Sequence, residues 1–136
     1  LSEYSNSVRT LEFAGECERL ISGNVKMGKC CWIGPWVILD GYHKDIVIGD
    51  NVTICAGVKI YTHTNEGGKS YKASVTIDND VFIGSNAVIE PNVFIGRGGI
   101  IGANSFVKRG TMVLDGELWA GAPAVNKGVW KGYEKP

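Results

Sequence analysis

Aliphatic side chains recur every six residues through most of this chain. From Ile77 the steps fall on Ile83, Ile89, Ile95, Ile101, Val107 and Val113. Upstream the same beat runs Ile21, Met27, Ile33 and then Ile48, Ile54, Ile60. The residue after an aliphatic is often small or acidic, as at Asp78, Gly84, Glu90, Gly96 and Gly102. Four residues after it stand Val25, Cys31, Val37, Val52, Val58, Val81, Ala87, Val93, Gly99 and Ser105. A period of six suits neither an amphipathic helix nor a long alternating strand. It suits short strand-plus-turn units wound as a solenoid. The large aliphatic is expected to fill the interior, and the small plus-four residue to let the chain turn a corner. Three units make one coil of about 18 residues, and coils stack as parallel strands about 4.8 Å apart. No coil buries its apolar face alone; the stack does. The expected fold is therefore all-β, a parallel β-helix of about five coils over residues 21–115. Residues 1–20 fit the beat poorly and read as an irregular N-terminal cap. Residues 116–136 read as a short C-terminal extension that leaves the solenoid after Gly121 and caps its end.

Composition narrows the class. The chain has 136 residues, which points to one domain. Fourteen basic and fourteen acidic residues balance to zero, so there is no electrostatic case for a nucleic-acid partner. No apolar run is long enough to span a membrane, and no charged-then-apolar leader is visible. Cys17, Cys30, Cys31 and Cys55 make no C-x-x-C pair, so neither a structural zinc site nor a disulfide framework is expected. A reduced, cytoplasmic chain is the expectation. The 19 glycines recur at fixed intervals and are not low-complexity sequence.

Two stretches break the beat. Leu39-Asp40-Gly41 reads as a three-residue insertion between hexads starting at Ile33 and Tyr42. Glu66 to Ser70 reads as a five-residue insertion between hexads starting at Ile60 and Tyr71. Counted in this way, Tyr42, Ile60, Ile83 and Ile101 stack on one wall. Asp40 then enters that wall from below, His63 lies on it, and Ser85 and Ala103 follow on the coils above. Insertions in solenoids project outward and build binding surfaces. A lone histidine beside such a loop fits a solvated corner as well as a catalytic base. Asp40-Gly41 fits a turn as well as an orienting carboxylate. His43 reads as structural or solvated. Trp32 and Trp36 fit either sugar-stacking platforms or packing at a subunit contact.

The segment IYTHTN, the run SVTIDNDVFIGSNAVIEPNVFIGRGGIIGANSFVKRG and the terminal WAGAPAVNKG resemble the hexapeptide-repeat acyltransferases. The likeness is to their sugar O-acetyltransferase branch, the galactoside and maltose acetyltransferases. It implies a left-handed β-helix, an exception to the usual handedness of parallel crossovers. It implies His63 as general base, although the galactoside and maltose enzymes carry their histidine two residues later, where Asn65 stands here. It implies Asp40 orienting the imidazole or accepting a hydrogen bond from the acceptor, with Asn65 and Phe82 facing substrate. Phe82 occupies a position where the family often has Trp. Ser85 and Ala103 match positions along the pantetheine arm of acetyl-CoA, and Lys108 and Arg109 are candidate partners for its phosphates.

The resemblance further implies a homotrimer with the site between two chains, and direct transfer from acetyl-CoA without an acyl-enzyme or a metal. A neutral imidazole is a suitable base near neutrality. The acceptor would be a sugar or sugar derivative, for instance in polysaccharide biosynthesis. The absence of an obvious extra domain for a nucleotide favours O-acetylation, with N-acetylation of a nucleotide sugar as the alternative. The related γ-class carbonic anhydrases need three histidines, and this chain has only His43 and His63. Ice-binding solenoids need rows of threonine that Thr53, Thr76 and Thr111 do not make. A non-catalytic scaffold is the remaining alternative of another class.

Overall fold

The computed structural model describes residues 19–136; the cap expected over residues 1–20 lies almost wholly outside them. Parallel pairing stacks the aliphatic positions in three rows. The first wall carries Ile21, Leu39, Ile60, Ile89 and Val107. The second carries Met27, Ile48, Ile77, Ile95 and Val113. The third carries Ile33, Ile54, Ile83, Ile101 and Trp119. Each row has five members, so the solenoid has five coils. Most of these side chains are wholly buried, and so are the plus-four residues Val37, Val52, Val58 and Ala87. The interior thus takes two side chains per hexad. Each coil is held to the next by amide bonds such as Trp32 N–H to Val52 C=O at 2.9 Å.

The corners are turned by a different residue from the one expected. Except after Ile21, Leu39 and Ile60, the residue three after each stacked aliphatic, not the fourth, adopts the left-handed conformation. It is Asn51, Asp80, Asn86, Asn92 or Asn104, or a glycine such as Gly57, Gly98 or Gly110. Asn, Asp and Gly tolerate that region best. Trp36 and Cys30 adopt it as well, at φ 56° and 60°.

The wall assignment from counting needs correction. Ile60 stacks between Leu39 and Ile89, not beneath Ile83. Ile83 and Ile101 belong to the third wall. Leu39 is the interior residue, and Tyr42 is 68% exposed. The first insertion therefore falls after Gly41: Gly23 and Val25 are bridged by Asn24 alone, whereas Tyr42 to Asp45 bridge the paired Gly41 and Ile46. The second insertion is a whole β-hairpin, His63–Glu66 with Lys69–Lys72. Gly67 and Gly68, both at positive φ, make its two-residue turn. Thr62 C=O accepts the Ala73 amide at 3.1 Å and closes its base.

The strand Glu117–Gly121 completes the third wall, and Ala124–Val129 folds back antiparallel on it. Trp130 then donates Nε1–H to Gly98 C=O at 2.7 Å, and its ring meets Tyr133 edge to face. Gly98 and Gly116 leave the space that the Tyr133 ring fills. Among the described residues no helix is long and apolar enough to cross a membrane.

Candidate active site

Both insertions leave the solenoid at the same corner, between the first and second walls, on successive coils. Thr62 links them. It is fully buried, and its hydroxyl donates to Asp40 C=O at 2.8 Å while accepting Lys44 N–H at 3.3 Å. Coiling then lays the imidazole of His63 on that of His43, with ring centroids 4.3 Å apart and planes tilted by 33°. Tyr42 stacks on His43 in turn, at 5.1 Å. His63 Nε2 shares a hydrogen bond with Ser70 Oγ across the hairpin, at 3.1 Å.

A groove of about 370 Å³ opens beside this corner, lined by Asp40, Tyr61, His63, Thr64, Asn65, Val88 and Glu90. Three coils contribute to it. Asp40 and Tyr61 are register partners on the first wall, and Glu90 follows Ile89, which stacks on Ile60. The Asp40 carboxylate accepts Tyr42 N–H at 3.1 Å, and Glu90 accepts Arg109 N–H at 3.1 Å. Neither carboxylate is in an ion pair among the described residues, and no Lys or Arg lines the groove. The groove is therefore acidic, with one imidazole in its lining.

The other expected site residues are divided between corners. Lys108 and Arg109 share the histidine corner, two coils above His63's point of departure. Arg109 is already engaged: its guanidinium pairs with Glu66 at the hairpin tip and lies 4.0 Å over the Tyr71 ring. Ser85 and Ala103 stack on a different corner, between the third and first walls, where Asn104 N–H donates to Ser85 C=O at 2.8 Å. Gly84 is tight there, since a Cβ on it would lie 2.5 Å from the Ala103 nitrogen. Phe82 is 43% exposed on the outer face of the third wall. A single chain thus brings together His63, Asp40 and Asn65, and leaves Ser85, Ala103 and Phe82 apart from them.

Cys55 lies one coil below Ser85. Burial pushes its thiol above the ordinary thiol range, against a hydrogen bond from Ser85. Cys31 is also raised, chiefly by burial. Among the described residues no three His, Cys, Asp or Glu side chains gather to hold a metal. Sequence reasoning did not single out Ser70 or Glu90, and it read His43 as structural or solvated, without the contact to His63. The Glu-Gly-Gly-Lys run is a two-residue hairpin signal and points to Ser70. His43 had no such signal.

The family models that match are the bacterial transferase hexapeptide (six repeats) over residues 74–109 and the hexapeptide repeat of succinyl-transferase over residues 46–62. No curated protein sequence matches the chain. A hexapeptide-repeat acetyltransferase of Vibrio cholerae, solved with acetyl coenzyme A, superposes with TM-score 0.75 at 28% identity, over 83% of this chain and 65% of that one. A point mutant of AntD, an N-acyltransferase from Bacillus cereus, was solved with dTDP-4-amino-4,6-dideoxyglucose and coenzyme A. It superposes with TM-score 0.78 at 25% identity, over 83% of this chain and 67% of that one. A maltose O-acetyltransferase from Clostridium difficile shares the fold at 21% identity and TM-score 0.66, over 90% and 81%. The chain spans 66% of AntD and 65% of the Vibrio protein, about two thirds of each. Five parallel coils and repeat models matching residues 46–62 and 74–109 make this a hexapeptide-repeat chain, similar in its left-handed β-helix fold to the hexapeptide-repeat acyltransferases.

Proposed function

We propose that the protein transfers an acetyl group from acetyl-CoA to a hydroxyl of a sugar or sugar derivative, with His63 as general base. The observation that carries the reading is His63 in a groove whose lining can hydrogen-bond hydroxyls: Asp40, Tyr61, Thr64, Asn65 and Glu90. The imidazole takes the proton of the acceptor hydroxyl as its oxygen attacks the thioester carbonyl carbon. The carbon–sulfur bond breaks, and the CoA thiolate leaves with the proton returned by the imidazolium. The products are an acetyl ester and free CoA. Asp40 and Asn65 hold the acceptor, and Phe82 would face substrate from the third wall of a neighbouring copy. The raised thiols of Cys31 and Cys55 are less available as thiolates, which favours direct transfer over an acyl-enzyme on either.

The reading includes a homotrimer. His63 and the small-residue corner of Ser85 and Ala103 are separated on one chain, and a neighbouring copy would supply the second half. The outer ladder of the third wall, Trp32, Thr53, Phe82, Ile100 and Leu118, is apolar but for Thr53 and suits such a contact. Lys108 is the basic residue left for CoA phosphate, with Arg109 held by the hairpin. The free thiols of Cys30, Cys31 and Cys55 fit a reducing, cytoplasmic setting. A role in polysaccharide biosynthesis would accord with such an acceptor.

The likeness to AntD favours a second reading, N-acylation of a nucleotide sugar. The groove argues against it. Two carboxylates without a cation among the lining residues repel a nucleoside diphosphate.

Mass spectrometry tests both readings with acetyl-CoA, a panel of free sugars and a panel of nucleotide sugars. Acetylated free sugar from the parent, with kcat about 10²–10⁴-fold lower in His63→Ala, is the expected result. Equal rates in parent and mutant would remove His63 as the base. Acetylation of nucleotide sugars alone would establish the second reading. No product and no acetyl-CoA binding by calorimetry would leave a non-catalytic scaffold.

A further inference from the structure

We propose that His43 is a positioning residue for His63, its ring holding the plane of the imidazole that serves as base; this rests on the acetyltransfer reading above. The outer torsion of a histidine is broad, and a ring on a projecting hairpin has few neighbours to restrict it. Here two contacts do. His63 meets Ser70 Oγ through Nε2 at 3.1 Å, and lays one face on His43 with centroids 4.3 Å apart. Rotation of the ring breaks one contact or the other.

His43 is itself held from both sides. On its N-terminal side the Tyr42 amide donates to Asp40 Oδ1 at 3.1 Å, and on its C-terminal side the Lys44 amide donates to Thr62 Oγ1 at 3.3 Å. The Tyr42 ring stacks on His43 as well. The coil below crosses this corner with Asn24 alone, so the residues that present His43 are the product of the three-residue insertion. The two irregularities of the repeat, on successive coils, thus meet ring to ring. A base held in the plane of attack avoids the rate loss that a misplaced one incurs.

The test compares His43→Ala, which removes the ring, with His43→Phe, which keeps a flat face without nitrogen. Steady-state kinetics are read alongside the ring-proton NMR shifts of His63. The expected result is kcat lowered about tenfold or more in His43→Ala, with KM for acetyl-CoA unchanged and the His63 ring-proton shifts moved. His43→Phe should restore most of the rate. Parental kcat in His43→Ala overturns the proposal. Equal loss in both variants also overturns it, because a nitrogen and not a face would then be required. If the parent acetylates no acceptor, the acetyltransfer reading fails by itself. Unmoved His63 ring-proton shifts in folded His43→Ala would then overturn the positioning role independently.

Discussion

The Thr62 hydroxyl reaches across one coil to the carbonyl of Asp40 at 2.8 Å, from a side chain with no solvent exposure. It also accepts the Lys44 amide, and Thr62 C=O takes the Ala73 amide at the base of the hairpin. One buried residue therefore ties both insertions to the solenoid, immediately before His63. Thr62→Val keeps the shape and takes the partner from two partly buried backbone groups, Asp40 C=O and Lys44 N–H. We expect a loss of about 1–3 kcal/mol in denaturant unfolding, and a lower kcat. Thr62→Ser should keep most of the stability. A valine variant as stable as the parent would show that water replaces the hydroxyl.

Arg109 holds the far end of the hairpin through Glu66 and Tyr71. Both contacts are partly exposed, so together they contribute about 1 kcal/mol. Arg109→Ala should leave the thermal midpoint nearly unchanged and open the hairpin about fivefold more often. Limited proteolysis at Gly67-Gly68 reads this directly: cleavage should quicken while the solenoid stays intact.

Gly84 is required by close approach rather than by an unusual φ. A Cβ there would meet the backbone of Ala103 on the next coil, at 2.5 Å from N and 2.8 Å from Cα. Backbone on a stacked coil cannot swing aside as a side chain would. Gly84→Ala should cost about 1–3 kcal/mol, measured as a lower midpoint in thermal unfolding. Gly67→Ala, where a Cβ meets nothing within 4 Å, should cost only the strain of its positive φ.

Glu117 carries a pH signature. Burial pushes its carboxyl up, but hydrogen bonds from Trp119, Leu114 and Asn126 together outweigh that and hold it below the usual carboxylate range. A carboxyl depressed in the folded state adds stability above its unfolded pKa. That stability is lost as pH falls through the folded value. Melts of the parent and Glu117→Gln, taken from about pH 6 to about pH 3, should therefore converge at the acid end. A gap that stays constant with pH would show that the carboxylate charge is immaterial.

The six-residue beat by itself determined the class of fold, the interior aliphatics and the five coils. Those follow from periodicity because every unit buries its side chains at the same phases. The Asn, Asp and Gly corner positions were also legible, at Asn51, Asp80, Asn86 and Asn92, although the plus-four residue was given their task. What the sequence alone could not decide was which wall each hexad lies on. From Ile60 to Ile77 is seventeen residues, which fits a five-residue insertion with two hexads or an eleven-residue insertion with one. The two differ by one full period, so the downstream beat is identical. Tertiary pairing selects the second, because a Gly-Gly turn lets residues 63–72 satisfy their backbone groups as an antiparallel hairpin outside the solenoid. That choice moves Ile83 to the third wall, separates His63 from Ser85, and brings His63 against His43. Contacts between coils are made across insertions of variable length, and only the folded chain counts them.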